Sequence, residues 1–216
     1  MFNATNSVSI KTKELVILSM FSAIIVLLSA TPIGFINLGF IKATIIHIPV
    51  IVGSIIMGPR MGSVLGLVFG MTSLINNTMT PVVSSFVFSP FIPVPSMSSG
   101  SPWALLICFV PRILVGIVPW YIYQLSRKLI KNKKLDFIGL TIAGVVGSAT
   151  NTLLVMNLIY LLFKEEYATI RGVAHDAVYG IITSIIIVNG VPEAIVAGIL
   201  TTFICKTLLL VKGKND

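Results

Sequence analysis

Between Leu15 and Leu210 the chain runs repeatedly into long apolar stretches, and its basic residues collect at a few narrow points between them. No soluble globule could bury so many runs of that length. Soluble domains are typically about a quarter charged, whereas here 10% of residues are charged and 56% are hydrophobic, with a mean hydropathy of +1.02. Lipid is therefore the solvent for most of the chain, and its backbone polar groups must be satisfied inside helices.

Each crossing takes roughly 20 residues, so 216 residues hold one all-α bundle of six transmembrane helices, a single domain over residues 1–216 with no soluble domain beside it. The first span reads Leu15–Ala30 and stops at Thr31-Pro32-Ile33-Gly34. Lys11 and Lys13 before it imitate a signal peptide, but the apolar stretch is overlong for one, so a retained first helix is expected. The second span, Ala43–Met57, meets the third, Met61–Leu74, across a tight Gly58-Pro59-Arg60 turn. Asn76 to Trp103 is too rich in proline for a regular span and reads as a long structured loop between helices 3 and 4. Ala104–Gln124 is the fourth span and Phe137–Phe163 the fifth. A charged connector from Lys164 to Arg171 and an apolar segment, His175–Val188, precede the sixth, Pro192–Leu210, with proline in its first turn.

Of the 15 Lys and Arg residues, Lys11, Lys13, Arg60, Arg127, Lys128, Lys131, Lys133, Lys134, Lys206, Lys212 and Lys214 fall on one side, and only Lys42, Arg112, Lys164 and Arg171 fall elsewhere. The positive-inside rule then places both termini in the cytoplasm and the loops at 31–42, 75–103 and 164–191 outside. The net charge of +8 has the same origin, so nucleic acid is not expected as a partner.

Arg112 lies eight residues into the fourth span, after Pro111, and an arginine at that depth must face a cavity or an acid. Glu193, in the first turn of the sixth span, is the candidate acid; a buried pair holding two helices in register and an Arg112 that meets an anionic ligand are both consistent with the sequence. Asn151, with Thr150 and Thr152, then Asn157, Tyr160 and Asn189, place amides and hydroxyls towards the outer side, where they must face the bundle interior. His47 beside Pro49, Asn77, and Phe86, Phe88, Phe91 and Trp103 on the loop complete the polar and aromatic residues that could line or cover a pocket. The plainer readings are interhelical hydrogen bonds, an interfacial histidine and aromatics at the membrane surface. Gly62, Gly66 and Gly70, and Gly139, Ala143 and Gly147, form small-residue ladders for close helix approach, either within the bundle or to a partner. Cys108 and Cys205 sit inside apolar runs as small core residues.

Six spans with cytoplasmic ends, IHIPVIVGSIIMGPRMGSVLGLVFG at 46–70, SFVFSPF at 85–91, CFVPRILVGIV at 108–118, GSATNT at 147–152 and NGVPEAIVAGI at 189–199 together resemble an S component, the substrate-binding subunit of an energy-coupling factor (ECF) vitamin transporter. Within that family the chain is most similar to the pantothenate and riboflavin-type branch, pantothenate being favoured over riboflavin, biotin or folate. The resemblance implies a high-affinity vitamin binder in the cell membrane that opens outwards, associates with a membrane T component and two ATPases, and topples to release its ligand. It further implies a pocket drawn from the outer loops and spans four to six, which contain Arg112, Asn151, Asn189 and Glu193. The family's AxxxA docking pair corresponds here to Ser19 and Ala23, a departure in its first residue.

No P-loop, HExxH, GxSxG, paired intramembrane aspartates or Cys/His cluster is present, so neither catalysis, a metal nor a cofactor is expected. The competing class is a stand-alone secondary transporter in which Glu193 and His47 or His175 couple protons.

Overall fold

The computed structural model describes residues 3–37, 42–95, 97–130 and 135–212. Four of the basic residues that set the expected orientation, Lys131, Lys133, Lys134 and Lys214, lie outside the described residues. The first helix, α1, runs Asn3–Ala30, and a short antiparallel hairpin of β1 (Phe35–Asn37) and β2 (Lys42–Thr44), in register Phe35↔Thr44, follows. Then come α2 (His47–Met57), α3 (Pro59–Met79), α4 (Trp103–Val115), α5 (Val118–Leu129), α6 (Asp136–Arg171), α7 (Val178–Ile185) and α8 (Val191–Lys212). Four continuous runs are long and apolar enough to cross a membrane: Thr12–Ala30, Trp103–Leu129, Asp136–Arg171 and His175–Leu210. With α2 and α3 they make a helical bundle whose count is consistent with six passes.

Prolines explain where the elements depart from the sequence reading. The apolar run from Ala43 is helical only from His47, which puts Pro49 inside the first turn, where its missing N–H leaves no bond unmade. Ala43 instead pairs with Ile36 in the hairpin. The 11 residues of α2 reach only about 16 Å, half a bilayer's hydrocarbon thickness, and α2 is buried nearly all round. Gly58, at φ 93°, makes the reversal that no other residue adopts cheaply, and Pro59 opens α3. The fourth pass is two helices, because Pro119 cannot donate to the carbonyl of Val115 and α4 gives way to α5 there.

Two further expectations are corrected. Lys164 to Arg171 is not a connector: α6 is 36 residues long and runs through it, with one non-helical residue at Phe163, and ends at Gly172, φ 63°. Nor does Pro192 open a separate helix. Its absent N–H falls inside a continuous rod, and the turn before it, Ile186–Gly190, widens into a π-helix that joins α7 to α8.

Glycines set the helix spacing. A Cβ at Gly62 would overlap the Gly116 carbonyl, one at Gly66 the Arg112 carbonyl, and one at Gly70 would come within 2.7 Å of Phe109. The third-span ladder is thus consumed by packing of α3 on α4, and on α6 Gly147 abuts Ile51 and Pro119. The long loop, Thr80–Pro102, is folded down on the bundle: Phe86 and Val87 are buried, with Phe86 edge-on to Phe163 at 5.6 Å. The core forms two clusters. One, around α2, includes Val50, Ile51, Leu65, Phe69, Val115, Ala143 and Ala197; the other, beneath the loop, includes Phe86, Ile107, Val155, Ile159, Phe163 and Ile182.

Candidate functional site

Between the two apolar clusters lies a polar layer, and the order of residues along each helix shows it. On α4, Arg112 falls between Ile107 of one cluster and Val115 of the other; on α6, Ser148 and Asn151 fall between Ala143 and Val155; on the last rod, Glu193 falls between Ile182 and Ala197. The helices are in level register here. Ser54 and Gly116 both flank Gly62, Arg112 flanks Gly66, and Ile51 flanks Gly147. One turn from Ile51, about 5.4 Å along α2, is His47, 1% exposed.

Arg112 is 7% exposed. Pro111 removes the amide that would have bonded the Ile107 carbonyl, and Arg112 Nη1 donates to that carbonyl instead, at 2.9 Å. The guanidinium lies over two rings, those of Phe69 at 5.5 Å and Phe88 at 5.1 Å. No ion pair with Glu193 forms: among the described residues the ion pair within reach is Arg127–Asp136 at 3.9 Å, at the α5–α6 end. Glu193 is engaged elsewhere. Its Oε1 accepts the Thr44 N–H at 2.8 Å and its Oε2 the Thr152 hydroxyl at 3.5 Å, so it ties the hairpin and α6 to α8.

Several atoms of the layer are buried without a partner: both ring nitrogens of His47, Arg112 Nε, Ser148 Oγ and Asn151 Oδ1. More than nine in ten buried polar groups in proteins are satisfied, and each orphan costs about 1–3 kcal/mol. A cation, an imidazole, a hydroxyl and an amide oxygen left open at one level are what a small solute with a carboxylate and hydroxyls would complete. Among the described residues no group of three His, Cys, Asp or Glu is placed to hold a metal ion.

The other sequence-selected residues stand apart from the layer. Asn77 is used within the protein, donating to the Ser73 carbonyl at 2.8 Å and accepting from Ser85 Oγ at 2.9 Å. Tyr160 packs edge-on to Tyr179 at 5.1 Å, under Lys164, while Asn157 and Thr150 bond their own helix. Asn189 lines an external groove along α7. Ser19 and Ala23 lie on the exposed face of α1, where Ser19 Oγ bonds the Val16 carbonyl at 2.8 Å. Phe69, Ser148 and Thr44 were not selected from the sequence; only Ser148 carried a signal, standing one turn before Asn151 on the same face.

The family model for the ECF transporter, substrate-specific component, matches residues 13–205. The chain belongs to this family. As a substrate-specific component it is the substrate-binding membrane subunit of an ECF transporter and a multi-pass protein of the cell membrane. The match takes in Ser19 through Glu193 and so every residue of the layer. This S component is 39% identical over 208 residues to the pantothenic acid transporter PanT of Lactococcus lactis subsp. cremoris, covering 95% of the chain and 97% of that protein. It is 30% identical over 208 residues to the pantothenate transporter PanT of Leuconostoc mesenteroides subsp. mesenteroides, covering 92% and 93%. Both relatives are named as transporters rather than enzymes.

Proposed function

We propose that this S component binds pantothenate. The observation that carries this reading is the 39% identity, almost end to end, to a protein named for pantothenic acid transport. The polar layer supports it chemically: pantothenate carries one carboxylate, two hydroxyls and an amide. Arg112, with Phe69 and Phe88 holding its plane, meets the carboxylate. His47, Ser148 and Asn151 complete their hydrogen bonds on the hydroxyls and amide, and Phe88 connects the long loop to the ligand. Glu193 acts through Thr44 and Thr152 to hold the hairpin over the layer. Asn189, Tyr160 and Asn77 act from outside the layer, as part of the frame.

The chain is one transmembrane domain with both termini in the cytoplasm and the long loop and hairpin outside, as the Lys/Arg distribution directs. It works with a membrane T component and two ECF ATPases, docking through the Ser19 and Ala23 face of α1. Isothermal titration of the purified protein against pantothenate, with riboflavin, biotin, folate and thiamin alongside, tests the reading. Tight binding of pantothenate alone is expected; tight binding of another of these vitamins discards the ligand and keeps the class.

A further inference from the structure

Beside α7 runs an open groove of about 420 Å³, lined by Arg171 at one end, by Ala177, Gly180, Ser184 and Val188 along its length, and by Asn189 at the other. Ala177 to Asn189 spans about 18 Å of helix, against about 15 Å for one leaflet of a 30 Å hydrocarbon core. Ile181 and Ile185, half-buried, line the groove between the exposed Gly180, Ser184 and Val188. The groove belongs to the His175–Leu210 rod, an apolar run long enough to cross the membrane, and Tyr179, Ile187, Val188 and Val191 are exposed along the rod, so it continues the lipid-facing surface of the bundle.

Arg171 is the charge at its aqueous end. Tyr167 holds the guanidinium, accepting from Nη2 at 3.1 Å with its ring at 5.3 Å, and Arg171 is exposed. At about 100° per residue, Lys164 lies within about 20° of Arg171 on the helix wheel, whereas Glu166 and Glu165 lie about 140° and about 120° away, on opposite sides. The two cations share a face and the acids do not. Asp176, in the turn before α7, is not among the groove's lining residues.

We propose that this groove binds one anionic phospholipid, an acyl chain lying against Ala177, Gly180, Ser184 and Val188 and the phosphate on Arg171. An aliphatic trough one leaflet long with a cation at its water end has the polarity of a lipid, not of a hydrophilic vitamin. The site is separate from the polar layer and stands whichever vitamin that layer takes.

The test is native mass spectrometry of the full chain released from nanodiscs of equal phosphatidylglycerol and phosphatidylcholine. The wild type is expected to retain one phosphatidylglycerol in preference to phosphatidylcholine by roughly fivefold, the contribution of one interfacial arginine. Gly180→Leu fills the groove without collision, since a Cβ there meets nothing within 4 Å, and should lose the bound lipid. Arg171→Gln should keep a lipid and lose the preference. Unchanged thermal unfolding of both variants shows that they fold. Equal retention in the wild type and Gly180→Leu, or no headgroup preference in the wild type, overturns the proposal. Displacement of the lipid by millimolar pantothenate also overturns it, by giving the groove to a soluble carboxylate.

Discussion

Replacing Arg112 with methionine separates ligand binding from architecture, because the two readings predict the loss in different quantities, affinity on one and ligand-free stability on the other. Methionine keeps the length of the side chain and removes the charge. In the ligand-free protein the guanidinium is buried with no carboxylate beside it, a desolvation cost of several kcal/mol. Against that stand one bond to the Ile107 carbonyl, worth about 1.5–3 kcal/mol for a charged donor, and two aromatic faces worth about 0.5–2 kcal/mol each. The terms nearly cancel, so ligand-free stability should stay within about 1–2 kcal/mol of wild type. Binding should not survive so well. Losing one member of a buried charge pair costs about 2–5 kcal/mol, a rise in Kd of about 30-fold to several-thousand-fold. Titration and thermal unfolding with and without pantothenate, in one detergent, read both quantities. Ligand at a thousand times the wild-type Kd stabilises by about 4.1 kcal/mol; with Kd raised a thousandfold, the same concentration contributes only about 0.4 kcal/mol. A clearly lower ligand-free Tm together with a Kd within threefold of wild type would refute the reasoning and make Arg112 a structural residue.

Gly66→Ala should weaken pantothenate binding without touching the ligand, since its Cβ lands on the Arg112 carbonyl and 2.7 Å from Ile113 Cα, backbone atoms that yield only if α4 moves; overpacking of this kind costs about 1–3 kcal/mol, and an unchanged Kd and Tm would show that α3 and α4 separate freely. Ser19→Trp or Ala23→Trp, on the exposed face of α1, should abolish uptake by cells carrying the whole transporter while leaving titrated affinity within about twofold, an ordinary surface effect; wild-type uptake would remove α1 as the docking face.

The passes were legible because lipid imposes a composition that no other solvent does, and the Gly58 turn because glycine before proline has few other uses. The breaks were not. Whether Pro192 starts a helix or distorts one depends on whether α7 lines up behind it, a tertiary fact, and the charges at 164–166 look like a connector unless the helix is known to continue past the bilayer: its 36 residues reach about 54 Å. Arg112 stood out because an ionised residue in an apolar run has few explanations. Which of its two readings holds was not legible for a local reason: Glu193 was the nearest acid by depth, but the Thr44 amide, brought in by a hairpin that the apolar run concealed, takes the carboxylate. Phe69 is one of 12 phenylalanines, with nothing in its neighbourhood to single it out.

Pro111 and Arg112 are best regarded as one device. The proline breaks a rung of its own helix, and the arginine anchors itself to the broken rung. Restore an amide at position 111 and the Ile107 carbonyl returns to the helix ladder, leaving the guanidinium with one tether fewer and freer to swing. Substituting the proline alone should therefore loosen the arginine while making the helix more regular, and among relatives these two neighbours should be inherited or lost as a pair.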